Sequence, residues 1–473
     1  GLAKVRKSEG LNNFIVIEIS IGEGKRPLAK REKVDTNLRE GKEITSMHER
    51  KILDKILDRD NLNQAYKQVK KNKGAAGVDG MTVDELAGYM ALNKDEIIRQ
   101  IRKREYNPQP VLRVEIPKPN GGKRLLGIPT VIDRVIQQAT AQVLTPMFDK
   151  QFNENSYGFR PRRYAEMAIL KALEFMNDGY DWIVDIDLER FFDTVHHDRL
   201  MNLISRTVDD GDVISLIRKF LVSGVRIDED YKETIIGTPQ GGNLSPLLSN
   251  IMLNELDKEL ENRGLRFVRY ADDCIIMVKS EMSAKRVMRS VSRYIEEKLG
   301  LIVNVEKSRV TKPNDPDMKF LGFGFFKDYQ ADLYKAKPHQ KSVQNFKYKI
   351  KQLTRKNWSV NTKYQVERIN QLIRGWVNYF KVGYMKKLLR AIDANTRFRL
   401  RMCIWKKWKT ATNRRKNLIK LGMDKYSAYK NSHTSKGVTR IAYSWILTTT
   451  ITNKRLAQFG LISCTKHYNK VHA

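Results

Sequence analysis

The apolar residues of this chain change their spacing along its length, and the changes mark out its elements. Ile52, Leu53, Ile56 and Leu57 fall at helical spacing, and Leu62, Ala65, Tyr66 and Val69 continue the pattern beyond Asn61. A glycine-punctuated loop follows, Lys73-Gly74-Ala75-Ala76-Gly77-Val78-Asp79-Gly80. Leu112 to Ile116 and Lys123 to Gly127 predict two strands about the turn Pro117-Lys118-Pro119-Asn120-Gly121-Gly122. Ile132, Val135, Ile136, Ala139, Val143, Leu144 and Met147 predict a long buried helix. Further on, Trp182 to Asp187, Phe267 to Tyr270, Cys274 to Val278 and Phe320 to Phe325 read as strands. Leu247 to Leu260 and Ala284 to Leu299 read as helices between them, which makes an α+β layer. After about Lys337 the pattern becomes all-helical. One stripe is Val343, Phe346, Ile350 and Leu353. A second runs Val366, Ile369, Leu372, Ile373, Trp376, Tyr379 and Phe380, and a third Leu388, Leu389, Ile392, Phe398, Leu400 and Ile404. Three such stripes predict a helical bundle. From about Leu421 the pattern is short, basic and mixed.

Composition sharpens this picture. With 473 residues, 41% hydrophobic and 30% charged, the chain has ample material for two to four domains and is neither a disordered tail nor a membrane protein. No charged-apolar-cleavage leader is apparent, so secretion is not expected and a cytoplasmic setting is. Cys274, Cys403 and Cys464 are scattered, with neither a metal-ligand spacing nor a disulfide framework, which suits a reducing compartment. Net charge is +34, and its distribution is more telling than its size. Residues 331–473 hold 33 Lys+Arg against 4 Asp+Glu, or +29, together with five of the six tryptophans. Such a block predicts a nucleic-acid partner.

The catalytic chemistry is expected elsewhere, in the nearly neutral part. Trp182-Ile183-Val184-Asp185-Ile186-Asp187 runs into Leu188-Glu189-Arg190-Phe191-Phe192-Asp193, and Phe267 to Val278 is a hairpin with Asp272 and Asp273 at its tip. Carboxylates at the ends of apolar strands need a metal or base partner. Nucleotidyl transfer uses such carboxylates to hold two Mg²⁺ ions, for which oxygen ligands are suited. Cys274 should point to the opposite face. Alone, Tyr-x-Asp-Asp could be an Asp-rich turn. Between the two acidic sites, however, lies Gly237-Thr238-Pro239-Gln240-Gly241-Gly242-Asn243-Leu244-Ser245-Pro246, whose glycines allow backbone to approach a nucleotide closely.

In this order the segments resemble a reverse transcriptase, and among those a group II intron-encoded reverse transcriptase and maturase, closest to the compact group IIC type. The resemblance runs from about Lys51 to the C-terminus. It rests on Tyr157-Gly158-Phe159-Arg160-Pro161, Asp187 to Asp193, Thr238 to Gly242 and Tyr270-Ala271-Asp272-Asp273. It implies a right-hand fold of fingers and palm, then an all-α thumb or maturase bundle and a small basic DNA-binding segment. Asp187, Asp272 and Asp273 would be catalytic, with Asp187, Asp272 and the Ile186 carbonyl on the metals. Asp185 is the rival to Asp187. Mn²⁺ could substitute for Mg²⁺. Lys123, Arg124, Phe192, Gln240 and Gly241 would meet the deoxynucleoside triphosphate, with Phe192 crowding the sugar 2′ position. Tyr270, Ala271, Lys307, Leu321, Gly322 and Arg160 would line the primer and template. Arg374, Lys381, Lys386, Lys387, Lys406 and Lys407 would face intron RNA.

The implied division is an extension of unassigned role at 1–46, an N-terminal extension at 47–110, fingers and palm at 111–330, thumb at 331–420 and the DNA-binding segment at 421–473. The tail's His433, Cys464, His467 and His472 lack paired cysteines, so no endonuclease is expected. Expected partners are group II intron RNA, target DNA, an RNA template and its primer, and no membrane. The expected activity is RNA-directed DNA synthesis, with help to splicing and retrohoming by target-primed reverse transcription. Another palm-fold polymerase, or a maturase that only scaffolds RNA, are the competing readings.

Overall fold

The strand residues of the middle third face two ways, and the fold is built on that alternation. The computed structural model describes residues 51–117, 123–227, 230–232, 236–238 and 241–472. The extension at 1–46, the turn at 118–122 and Gln240 lie outside the described residues, and so do the side chains of Lys123 and Arg124. In chain order the strands are β1 (Val111–Pro117), β2 (Lys123–Ile128), β3 (Trp182–Ile186), β4 (Val225–Ile227), β5 (Asp230–Lys232), β6 (Arg266–Tyr270), β7 (Asp273–Val278), β8 (Arg309–Thr311), β9 (Phe323–Asp328) and β10 (Leu333–Pro338).

The central sheet has the order β6-β7-β3-β8, antiparallel throughout. Val184, Ile186, Cys274, Ile276 and Val278 point into one core, shared with the helices Val131–Asp149, His197–Ser205, Gly211–Val222 and Ser245–Asn262. Ile183, Val268, Ile275 and Met277 point into a second core with the helix Ala165–Asn177, the β9–β10 hairpin and the helices Gln340–Leu353 and Thr362–Phe380. Period-2 alternation thus places Cys274 opposite the acidic face, as its sequence position implied. Leu53, Ile56, Leu62, Ala65 and Val69 join the first core, so the N-terminal helices are packed into the body of the fold. A second four-stranded sheet, β2-β1-β4-β5, carries the predicted hairpin, in register from Leu112↔Ile128 to Pro117↔Lys123.

Several boundaries differ from the sequence reading. The strand expected at Phe320 begins at Phe323, because Leu321 (φ 50°) and Gly322 (φ 82°) form a tight turn closed by paired bonds between Phe320 and Phe323. A division at 330/331 would cut the β9–β10 hairpin, where Asp328 faces Leu333. The mixed tail resolves into short helices, Lys425–Ser432, Val438–Tyr443, Trp445–Thr450, Asn453–Gln458 and Cys464–Val471. Ile441, Leu447 and Leu456 share a third core with Val366, Leu400 and Trp405. Cys464 and Tyr468 enter the second core. The tail is therefore continuous with the helices before it.

Asp393, one of the four acids in the basic region, explains how the last helix docks. Its Oδ1 accepts from Cys464 N–H at 2.7 Å, and its Oδ2 accepts from Ser463 Oγ at 2.7 Å and Thr465 N–H at 3.0 Å. A carboxylate satisfying the orphan donors at a helix start is worth more than a neutral cap. Asp393→Ala is expected to cost about 2–4 kcal/mol, read by chemical denaturation of the purified protein. An unchanged midpoint would mean that the last helix docks without this cap.

Candidate active site

β3 and β7 bring the two acidic segments to one end of one sheet. Ile186 pairs with Cys274 and Asp185 with Ile275, so continuing the register sets Asp187 against Asp273. Asp185, Asp187 and Asp273 share strand parity and lie on the same face. Asp272 sits in the two-residue turn that joins β6 to β7, closed by the Tyr270–Asp273 pair. Ala271 in that turn is left-handed (φ 58°), as tight hairpins demand although alanine disfavours it.

Crowding these carboxylates has an electrostatic cost. Burial pushes the Asp185 carboxyl up to about 6, and Asp187 adds to this, while Arg309, 3.7 Å away, pulls it down. The protein packed around Asp273, then the charges of Asp272, Asp185 and Asp187, push its carboxyl up to about 7 against the pull of Lys319. Asp273 keeps an exposed face, so water offsets part of the first cause, whereas the mutual repulsion is what a bound cation would relieve. Lys307 Nζ stands 3.2 Å from Asp187 Oδ2. Ser308 Oγ accepts from the Asp187 N–H at 3.1 Å, and the Asp187 carbonyl accepts from Asn304 N–H at 2.8 Å.

The donor set suits a hard divalent cation: carboxylate oxygens only, mutually repelling and gathered at one end of the sheet. Among the described residues no three Asp, Glu, His or Cys side chains already stand grouped to enclose an ion, and Lys307 and Arg309 engage the carboxylates instead. Ile186 has its side chain in the core, so only its carbonyl could serve a metal.

Of the residues expected to meet the nucleotide, Phe192 lies on the Phe191–Thr194 turn. Phe192 is half-buried, edge-on to Phe191 with ring centroids 5.2 Å apart. Its carbonyl accepts from Thr238 N–H at 2.6 Å, and Val195 O accepts from Gly237 N–H at 2.9 Å, which ties Gly237 and Thr238 to the segment after Asp187. His197 Nε2–H donates to Gly237 O at 2.6 Å, and burial pulls the ring's pKa below its ordinary value. Nothing in the sequence pointed to His197, because its partner Gly237 lies 40 positions away in a motif to which His197 does not belong. Gly241 has φ +132°, and a Cβ there would stand 2.6 Å from Gly127 O, so Gly241 lies directly on β2. Only glycine tolerates that approach.

The Leu321–Gly322 turn, expected to line the primer, is held by helical neighbours. Tyr379 Oη donates to Leu321 O at 2.9 Å, and Gly322 O accepts from His339 N–H at 2.9 Å and Ser342 Oγ at 2.8 Å. Lys307 lies on Asp187, as described, and is exposed. Tyr157-Gly158 supports the hairpin from beneath: a Cβ on Gly158 would lie 2.2 Å from Ala271 N.

Two expected nucleic-acid contacts are turned inward. The Arg160 guanidinium is 3% exposed and binds Asp149 Oδ1 at 2.7 Å, Asn153 O at 2.6 Å, Ser156 O at 2.9 Å and Asp149 O at 3.0 Å. Its carbonyl partners fix the 149–160 loop, which makes it scaffold. Lys407 Nζ donates to Gln365 Oε1 at 2.8 Å and Thr362 Oγ1 at 3.1 Å, inside the helical region. Lys381 is half-buried on Glu166 at 2.9 Å. Arg374, Lys386, Lys387 and Lys406 are exposed.

Strand-end carboxylates on a helix-backed antiparallel sheet, beside a glycine loop tied to a fingers hairpin, define a palm-type nucleic-acid polymerase site. Residues 116–325 match the family model "Reverse transcriptase (RNA-dependent DNA polymerase)", and residues 343–422 match "Group II intron, maturase-specific domain". Protein YkfC of Escherichia coli K12 is 32% identical over 311 residues, covering 57% of this chain and 81% of that one. The group II intron-encoded protein LtrA of Lactococcus lactis is 32% identical over 324 residues, 55% of this chain and 54% of its own. An uncharacterized 91 kDa protein in the cob intron of Schizosaccharomyces pombe is 27% identical over 406 residues, 69% of this chain and 50% of its own. The chain belongs to the group II intron-encoded reverse transcriptase and maturase family. It spans about half the length of LtrA and of the fission-yeast protein. No helix among the described residues is long and apolar enough to cross a membrane.

Proposed function

We propose that the chain copies RNA into DNA with two Mg²⁺ ions, binds the RNA of its own group II intron to promote splicing, and supports retrohoming by target-primed reverse transcription. The observation that carries the polymerase reading is the meeting of the Asp187 strand end with the Asp272–Asp273 hairpin across one register. Asp187 and Asp272 would hold the metals, with the Ile186 carbonyl as a further oxygen, and Asp273 would face the primer end. Bound there, the ions supply an activated 3′ hydroxyl and charge neutralisation for the leaving pyrophosphate. The protein's own work is placement. Leu321–Gly322 positions the primer strand, Gly241 lets the loop lie flat beneath the incoming base, and Lys123, Arg124 and Gln240 would engage the triphosphate and base.

Phe192 would exclude ribonucleotides by filling the space of a 2′ hydroxyl. Phe192→Val is expected to raise ribonucleotide incorporation by roughly 10- to 100-fold in single-nucleotide extension assays. An unchanged sugar preference would remove Phe192 from that role.

The helices from Gln340 onward act as thumb and maturase surface, with exposed Arg374, Lys386, Lys387 and Lys406 toward RNA. Segment 421–473 would bind target DNA. In support, Tyr426, Tyr443 and Trp445 are exposed beside Lys425, Lys436 and Arg440, the mix of rings and cations that stacks bases and tracks phosphates. The test for the intron partner is filter binding of a folded self-splicing intron RNA against unstructured RNA of equal length. Preference for the folded RNA, with affinity falling steeply as salt rises, is expected. Equal affinity would overturn the maturase part and leave the polymerase part standing.

A further inference from the structure

We propose that Arg269 is a positioning residue: a buried cation on the underside of the catalytic hairpin that fixes the Ala271–Asp272 turn and so sets where Asp272 and Asp273 present their carboxylates. Arg269 pairs with Cys274 across the β6–β7 hairpin, which places its side chain on the face opposite Asp273. Its guanidinium is fully buried, 0% exposed, as is its ion-pair partner Asp257.

All five N–H donors are used. Nε donates to Asp257 Oδ1 at 2.6 Å, and one Nη2 hydrogen to Asp257 Oδ2 at 2.5 Å. The other Nη2 hydrogen goes to Ser156 Oγ at 2.8 Å. Nη1 donates to Asn250 Oδ1 at 3.0 Å and to the Ala271 carbonyl at 2.9 Å. Ala271 is the left-handed residue of the turn, immediately before the catalytic pair. The network also reaches the other side of the turn: Asn250 Nδ2 donates to Gly158 O at 2.8 Å, and Gly158 is the residue pressed against Ala271 N. The turn is thus gripped at its carbonyl by Arg269 and at its amide side by the 155–158 loop. That loop itself binds the Arg269 backbone through Tyr157 N–H to Arg269 O and Arg269 N–H to Asn155 O, both 2.9 Å.

Burying an ion pair is a poor route to stability, since well-packed apolar residues often do as well. The need here is geometric. Only a guanidinium offers five donors in a fixed fork, two for a carboxylate and three for acceptors in other directions. A left-handed alanine has an energetic incentive to relax, and the Arg269 bond to its carbonyl opposes that relaxation.

The inference rests on reading Asp272 and Asp273 as the catalytic carboxylates, and its test separates the two. In the full chain, Arg269→Lys and Asn250→Ala are compared with wild type by hydrogen exchange of peptides spanning 266–276 and by Mn²⁺ titration followed by electron paramagnetic resonance. Asn250→Ala is the milder variant, since it cuts one acceptor and the tie to Gly158 without stranding a charge. Both variants should quicken exchange in the hairpin by roughly 10-fold while the helices of the first core keep their protection. Mn²⁺ half-saturation should rise severalfold, and excess metal should restore part of the primer-extension rate. Asn250→Ala with hairpin exchange and Mn²⁺ affinity both unchanged would overturn the inference, as would exchange quickened equally across the whole palm, the mark of a merely structural role. Wild type and Asp272→Ala binding Mn²⁺ alike would instead sink the metal reading, leaving the exchange comparison to decide the role of Arg269.

Discussion

Replacing Asp272 with alanine should lower primer extension on an RNA template by roughly 10³-fold or more, while RNA affinity stays near that of wild type. The size of the loss follows from chemistry in which catalysis is nearly all positioning and charge neutralisation, so that a missing oxygen ligand has no substitute. Stability should move the other way or not at all. Asp272 is among the charges that push the Asp273 carboxyl up to about 7, so removing it relieves repulsion in the folded state. The decisive pair of measurements is therefore single-turnover extension and thermal unfolding on the same preparation. Lost extension with an undiminished melting temperature assigns Asp272 to chemistry. Normal extension would overturn the site assignment, and lost extension in an unfolded protein would leave Asp272 as a fold residue.

This asymmetry between function and stability also explains what could be seen in the sequence. Val184, Ile186, Ile276 and Val278 alternate with acids or with residues of the second core, and no packing argument places Asp185, Asp187 or Asp273 at the ends of such strands. A residue that only a ligand can justify is visible from composition and period. The supports were hidden because each is defined by a distant partner. Arg269 reads as one more surface cation until Asp257, Asn250 and Ser156 are brought to it. Arg160 and Lys407 misled for the mirrored reason, being charged side chains in a basic or motif-rich context that are satisfied internally. The tail's helices are too short for a 3.6-residue stripe to show, and they became helices by covering Val366, Leu400 and Trp405.

The second large effect is expected from a methyl group. In Gly158→Ala the new Cβ would stand 2.2 Å from Ala271 N, 2.8 Å from Tyr270 C and 3.1 Å from Ala271 Cα. Every one of those atoms is backbone, so no side chain can swing aside. Either the 155–158 loop or the catalytic turn must retreat by about 1 Å to reach ordinary contact, and a misplacement of that size costs on the order of 10²-fold in rate. The accompanying strain should cost about 3 kcal/mol of stability. Gly375→Ala is the matched control: it lies in the helix Thr362–Phe380 with nothing within 4 Å of the added Cβ, and should stabilise the protein by about 0.5–1 kcal/mol. Extension and denaturation measured on both variants decide the matter. A Gly158→Ala protein that melts and extends as wild type does would show that the loop does not seat the hairpin. A protein that remains folded under assay conditions yet extends primers some hundredfold more slowly would show that the Tyr157-Gly158 pair acts on the chemistry by holding the Asp272–Asp273 turn in place, without touching nucleic acid itself.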